Sequence, residues 1–419
     1  MLNKIHPVLL VFLLFFVQLS VGQNNTNSPY TRYGFGELVD VNSAEQRAMG
    51  GTALGMRNGS SINAANPASY NVVDSTTFMF DFGLTGLYSR FSEAGGGKKT
   101  SFNSNLEYVN LQFPITKWLG FSAGMLPYSF SGYDFYDTDS VVMPDNTTNP
   151  SYAYYSRKYT GAGGISQVYS GLGLKLFNHV SLGVNAYYMF GDVTNSRTVS
   201  FSNDEFSSST SIQDNAISVS NFRFRYGLQI FHTLKDKHDI TLGVIYENKA
   251  SFNGKFVQYN RAVPADTIRY NHHFELPQVF GVGLNYTFNK KLSLSADYIM
   301  QQWGDALFFG KTDSLSNRSK IALGAEYIPN PRGNKYTDRM RYRAGLNLHD
   351  PYYKIPGINP VKNFGITFGI GFPLRTSNTM INTSIEYGKS GEKNTFREDY
   401  FKFTLNATFN ENWFFKRKL

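Results

Sequence analysis

Strict two-residue alternation, repeated along most of the chain, limits the possible folds more than any other feature. Phe364, Ile366, Phe368, Ile370 and Phe372 alternate with Gly365, Thr367, Gly369 and Gly371. Phe280, Val282, Leu284, Tyr286 and Phe288 alternate with Gly281, Gly283, Asn285 and Thr287. Near the end, Phe401, Phe403, Leu405, Ala407 and Phe409 face the opposite way from Lys402, Thr404, Asn406 and Thr408. A period of 2 is that of a strand with two different faces. In water the large apolar face would turn into a core. The other face, however, is so rich in Gly, Asn, Ser and charge that a polar lumen accounts for it, with the apolar face turned to lipid.

About 14 such strands lie near 77–89, 104–115, 118–130, 165–177, 180–191, 217–234, 239–254, 266–288, 291–303, 318–328, 339–349, 362–373, 379–389 and 398–410. Their connections alternate in length. Links 92–103, 131–164, 192–216, 253–266, 304–317 and 350–361 are long, whereas 116–117, 178–179, 235–238, 289–290 and 375–378 are tight. Long outer loops and short periplasmic turns belong to a single-chain transmembrane barrel. The exception is 329–338, read as an enlarged periplasmic turn. Closure also satisfies every backbone amide, which an open sheet in lipid cannot do. The expected fold is all-β, a single closed antiparallel barrel of about 14 strands.

Composition agrees. Aromatics make up 16% of 419 residues and charged residues only 17%, with 38 glycines. A mean hydropathy of -0.32 counts against a helical membrane protein but not against a barrel with a polar lumen. The chain has no cysteine, which excludes disulfides and thiolate metal sites. The net charge of +9 is scattered rather than clustered, pointing to an anionic lipid surface and away from nucleic acid. Seven histidines, among them the adjacent His272 and His273, form no metal-ligand pattern, and no nucleophile elbow, zinc-protease or phosphate-loop motif occurs. No enzyme activity, cofactor or metal is expected.

The start of the chain divides into two pieces. Residues 1–22 carry Lys4, an apolar run over 8–17, and Ser20 and Gly22 before Gln23, the pattern of an export signal too short to span a bilayer. Residues 23–76 follow, with the Gly-, Ala-, Asn- and Ser-rich stretch 43–70 at their centre. That stretch has too little apolar surface to offset its ordering entropy alone. It is expected to be held inside the barrel, residues 77–419, as a plug.

Several of these residues resemble a known family. Arg47-Ala48-Met49-Gly50-Gly51, followed by Asn66-Pro67-Ala68, is similar to the N-terminal hatch of the FadL/TodX outer-membrane transporters. Leu276-Pro277, the strand ending in Trp303-Gly304-Asp305, and Arg343-Ala344-Gly345-Leu346 with Asp350-Pro351 resemble later blocks of that family in the same order. The end, Asn412-Trp413-Phe414-Phe415-Lys416-Arg417, is similar to outer-membrane proteins of the Bacteroidetes type, whose FadL-like barrels include secretion-system components. The resemblance implies a monomeric barrel in the outer membrane of a Gram-negative bacterium. It implies passive uptake of long-chain fatty acids or other hydrophobic molecules by binding at outer loops, movement of the plug and lateral exit at a kinked third strand. The alternative is a FadL-like barrel acting as a partner in outer-membrane protein secretion or surface assembly. Expected partners are therefore outer-membrane lipid, a hydrophobic small molecule and, on the alternative, another outer-membrane protein.

Each candidate residue has two readings. In the plug, Gly50, Gly51, Asn66, Pro67 and Ala68 form either a hinge or a rigid turn. Pro127 cannot donate a ladder hydrogen bond, so it marks the kink of a lateral gate or ends its strand near the outer rim. Arg223, Arg225, Arg341 and Arg343 share lumen registers with Glu247, Asp297, Glu326 and Glu386. They either hold a ligand carboxylate by an arginine fork or pair among themselves to fasten the plug. Tyr133, Phe135, Tyr136, Tyr154 and Tyr155 form a ligand groove on an outer loop or an interfacial girdle, and Phe308-Phe309 poses the same choice.

Overall fold

The computed structural model describes residues 25–142, 152–201, 210–260, 266–355, 362–374, 379–392 and 396–412, with backbone alone for 252–256, 258–260, 266–273 and 412. The expected export signal, the turn at 375–378 and the closing residues 413–417 lie outside them.

The strands are β1 (Glu37–Leu38), β2 (Thr77–Glu93), β3 (Lys98–Pro114), β4 (Leu119–Phe130), β5 (Tyr133–Val142), β6 (Tyr152–Leu176), β7 (Val180–Phe201), β8 (Thr210–Leu234) and β9 (His238–Glu247). They continue with β10 (Ala250–Asn260), β11 (Asp266–Leu276), β12 (Val279–Phe288), β13 (Leu292–Gln301), β14 (Arg318–Tyr327) and β15 (Arg341–His349). The last three are β16 (Asn363–Pro373), β17 (Met380–Gly391) and β18 (Phe396–Asn412). All pairings are antiparallel, and β18 pairs with β2 from Phe396↔Glu93 to Asn412↔Thr77, which closes the ring. The 17 strands β2–β18 occupy 14 wall positions, because β5 prolongs the place of β4 beside β6, β10 that of β9 beside β8, and β11, paired with β10, that of β12, paired with β9.

The faces are inverted relative to a soluble protein. On β18, Phe403 and Leu405 are 47% and 44% exposed, while Thr404 and Asn406 are 3% and 0%. Large apolar residues that face outward on every side need lipid, and the buried polar registers need something inside. A lumen of this width is not filled by its own side chains. Barrels of about 8 strands are filled, whereas those of about 16–18 leave a water channel.

Residues 25–76 fill it. They form hydrogen bonds with Thr367 on β16, Asp297 on β13, Gln229 on β8, Tyr187 and Asn185 on β7, Gln112 on β3 and Asn410 on β18. Contacts to strands all round the ring place the segment inside it.

The outer loops differ from expectation. Within link 131–164, residues 133–142 and 152–164 are not loop but β5 and the upper half of β6, paired from Tyr133↔Gly161 to Val142↔Tyr152. The long link expected at 192–216 is in large part strand, since β7 runs to Phe201 and β8 starts at Thr210. The expected link 253–266 is likewise mostly β10, which ends at Asn260. Above the membrane both faces of a hairpin meet water, so apolar alternation, the signal used to find strands, disappears while backbone pairing continues.

Candidate functional site

The plug is built from short elements with local caps. The helix Ala44–Ala48 starts at a capping box, in which Ser43 Oγ accepts from Gln46 N and Gln46 Oε1 accepts from Ser43 N. It ends at Gly50 and Gly51, both in the left-handed region at φ 71° and 83°. Gly50 is held against the wall. Its N–H donates to Thr367 Oγ1 at 2.9 Å, and a Cβ there would lie 2.4 Å from Leu346 O and 2.6 Å from Leu323 O. The turn Pro67–Val72 is capped by Asn66, whose Oδ1 accepts from Ala68 N and whose Nδ2 donates to Leu54 O at 2.9 Å. Ala68 is fully buried.

Six of the eight expected lumen charges gather into two ion-paired groups. Arg223 and Arg225 each pair with Glu247, and Arg223 Nη2 also donates to Pro277 O at 2.9 Å and Arg225 Nη1 to Ala65 O at 3.2 Å. Arg343 Nε lies 2.7 Å from Glu326 Oε2, Nη1 donates to Asn382 Oδ1 at 2.7 Å, and Nη2 lies 3.5 Å from Glu45 of the plug. Arg341 lies 3.7 Å from Glu326 and 3.9 Å from Glu45. Asp297 accepts from Ala53 N at 2.7 Å and Leu54 N at 2.9 Å, and Glu386 accepts from Asn347 and Tyr400. Replacing Asp297 by Ala leaves two buried plug amides without an acceptor, a loss of about 2 kcal/mol. The expected result is roughly thirtyfold faster proteolysis of the plug in detergent-solubilised barrel (1.4 kcal/mol being a factor of ten), and an unchanged rate would show that Asp297 does not hold it.

Two further contacts of this kind were not anticipated from the sequence. Asp40 lies 2.8 Å from Lys320 Nζ and 3.5 Å from Arg318. Burial alone would push its carboxyl up, but Lys320 and Arg318 outweigh this and hold it well below the usual carboxylate range. Arg47 meets Glu107 at 2.6 Å, both buried. The only sequence signal was that Lys320 and Arg318 have lumen parity, whereas Glu107 shares the parity of Val109 and Leu111 and turns inward at a register shift between β2 and β3.

The apolar part of the site is occupied by the plug itself. Phe35 is fully buried, with ring centroids 5.1 Å from Phe308 and 6.0 Å from both Phe274 and Trp303. Tyr352 covers Trp303 at 4.8 Å, donates to Gly36 O at 2.6 Å and accepts from Phe35 N at 2.8 Å. Phe309 closes against Phe274 at 5.0 Å. A cavity of about 140 Å³ is lined by charged and polar groups that include Asp40, Arg47, Glu107, Arg318, Lys320 and Glu398.

The wall is interrupted beside this cavity. β3 and β4 pair only from Pro114↔Gly120 to Val109↔Met125. Beyond Met125, β4 stays on β6 through a register shift between Pro127 and Ser129, and it also pairs with β1 of the plug, Glu37↔Phe130 and Leu38↔Ser129. The upper part of β3 pairs only with β2, and its Asn103 and Asn105 side chains bond Asn27 and Asn25 O. Pro127, which has no N–H to give, therefore stands where the ladder changes partner.

The outer aromatics do not converge. Cross-strand pairing sets Tyr133, Phe135 and Tyr155 on one face of the β5–β6 hairpin and Tyr136 and Tyr154 on the other. Tyr133 is buried with its OH on Asn195 Oδ1, whereas Tyr136 is 77% exposed. A period of 2 cannot bring all five into a single groove.

Structures with this architecture are known. A Pseudomonas aeruginosa FadL homologue matches at 15% identity and a TM-score of 0.60, over 89% of this chain and 99% of its own. The Ralstonia pickettii toluene transporter TbuX matches at 14% and 0.56, over 88% and 98%. The Pseudomonas putida toluene transporter TodX matches at 14% and 0.55, over 90% and 100%. At these identities the likeness establishes a FadL-type fold. No curated protein matches the chain. The family model BamG matches residues 1–419, the whole of the sequence, and the chain belongs to the BamG family.

Proposed function

We propose that this is a sealed FadL-type barrel of the outer membrane that works as a partner in outer-membrane protein secretion or surface assembly. The observation that carries this reading is the filled apolar site, where Phe35 of the chain itself occupies the space between Phe274, Trp303 and Phe308. The cavity of about 140 Å³ beside the plug is lined by ions: a hydrocarbon placed beside Asp40, Arg318 and Lys320 would desolvate them without offering them partners. Arg223, Arg225, Arg341 and Arg343 each lie beside a carboxylate of the protein already, so none of these four stands free for a fatty-acid head group.

A second reading, passive uptake of long-chain fatty acids or other hydrophobic molecules, is favoured by the break between β3 and β4. On that reading the plug withdraws, Phe35 leaves its pocket, and the ligand exits sideways past Pro127. The driving force is its own transfer from water, ~0.8 kcal/mol per CH₂. The neighbouring structures named for toluene transport lend it support by analogy.

Mass spectrometry of lipids that stay bound after exchange into a short-chain detergent separates the two readings. The expected result is bulk membrane lipid at the level of a control barrel, together with copurifying protein. Phe35→Ala should then gain binding of a small aromatic probe by at least roughly tenfold, because it opens an apolar cavity. Enrichment of one acyl or hydrocarbon class in the unaltered protein would overturn the partner reading in favour of uptake.

A further inference from the structure

The short-turn rim of the barrel is polarised in charge. Three consecutive turns, between β8 and β9, β12 and β13, and β14 and β15, carry Lys235, Lys237, Lys290, Lys291, Arg332, Lys335 and Arg339 against only Asp236 and Asp338. The turns are joined to each other: Asn289 N donates to Lys237 O at 2.7 Å, and Ile328 N to Lys291 O at 2.8 Å. Six of the seven cations are exposed and Arg339 is half-buried. Among the described residues none of the seven forms an ion pair, whereas Arg223, Arg225, Lys320, Arg341 and Arg343 in the lumen all do. Where β18 meets β2, the exposed charges near the strand ends among the described residues are Asp74 and Glu411.

We propose that this basic arc is a docking surface for an acidic segment of a partner protein at the periplasmic side of the membrane. The inference rests on the partner reading above and names the face and the chemistry involved. Three observations favour a protein over the lipid annulus. Among the described residues the cations are concentrated on this arc, with Lys117 a single exposed cation on the β3–β4 turn, whereas lipid head groups surround the whole rim. The cations stand on stiff supports, since Lys235, Asp236, Asn289 and Lys290 are all in left-handed turn conformations at φ 51–55°. Little ordering entropy is then lost when a partner binds. The enlarged turn also adds a helical turn, Tyr336–Arg339, on which Tyr336 is 43% exposed with Arg339 5.8 Å over its ring. Tyr and Arg are the residue types that anchor protein interfaces. A set of fixed, unpaired cations around such an anchor complements a run of Asp and Glu, and this complementarity speeds encounter and sets register.

The test is site-specific photocrosslinking in cells, with the crosslinker at Lys237 or Arg332 and, as a control outside the arc, at Asn178. The expected result is a protein adduct from the first two positions whose mapped peptide is rich in Asp and Glu. The adduct should fall at least roughly tenfold in the quadruple variant K237E/K290E/K291E/K335E, and Lys substitutions in the mapped acidic segment should restore it. Strong weakening at high salt is expected as well. Heat-modifiable migration of the variant in gels shows that its barrel still folds. Adducts to phospholipid alone, equal yield from Asn178, or an adduct indifferent to charge reversal would each overturn the inference. A complex that copurifies but does not crosslink here removes this surface and leaves the partner reading standing, whereas a barrel carrying one hydrocarbon class and no protein removes both.

Discussion

Excision of residues 43–58 turns the sealed barrel into a conducting pore. The deleted stretch holds the capped helix, Gly50 and Gly51, and the Ala53 and Leu54 amides that sit on Asp297. These residues cover the inward faces of β9 and β12–β17, where Gly243, Gly283, Gly324, Gly345 and Gly369 leave room for backbone rather than side chains. No wall residue can swing in to replace them, because glycine has nothing to swing. With the stretch gone, Thr367, Asp297 and Arg343 face water and line a channel of ordinary porin chemistry. In planar bilayers the intact protein should be silent and the deletion should show stepwise conductance. In liposomes, leak of small polar solutes should rise at least roughly tenfold, as expected for a 14-strand lumen close to the width that holds water. Permeability equal to that of the intact chain would mean that other plug residues make the seal.

Much of the wall was readable because lipid imposes a strong pattern. Phe401, Phe403 and Leu405 must face outward and Lys402, Thr404 and Asn406 inward, and a register error of one residue would exchange them. Where lipid stops, so does the pattern. The Ser- and Asn-rich continuation of β7 to Phe201 is strand by backbone pairing alone. The plug was legible as a segment unable to fold alone, but its contacts were not. Lys320 and Asp40 are separated by 280 positions, and parity shows that each faces the lumen without saying which partner it meets. Phe35 lies in a short aromatic stretch with no period, so nothing marked it as the residue that fills the apolar site. The outer tyrosines mislead in the opposite way, since their density suggests a groove that strand geometry then divides.

Loss of the Arg343 guanidinium should destabilise the folded barrel more than any other single change in the lumen. The side chain has no solvent exposure and serves three partners, Glu326 at 2.7 Å, Asn382 at 2.7 Å and Glu45 of the plug at 3.5 Å. Arg343→Ala leaves Glu326 and Glu45 with only the more distant Arg341, at 3.7 and 3.9 Å, and removal of one member of a buried ion pair costs about 3–5 kcal/mol. Part of that cost falls on the plug through Glu45 and part on the wall through the β14–β15 pair, so the variant should loosen both. Arg343→Met separates charge from volume. Alone it should be nearly as damaging as Ala, because the carboxylates remain. Combined with Glu326→Gln and Glu45→Gln it should recover most of the loss, because a neutral group of similar size can be tolerated where a broken pair cannot. Urea unfolding in micelles, followed by the gel shift between folded and unfolded barrel, measures all the variants on one scale. If the triple variant were no better than Arg343→Met, the arginine would be needed for its shape and hydrogen bond to Asn382 rather than for its charge. If Arg343→Ala were silent, the plug would not be fastened at this cluster, and Asp297, the Asp40–Lys320 and Arg47–Glu107 pairs and the Arg225 bond to Ala65 O would have to hold it.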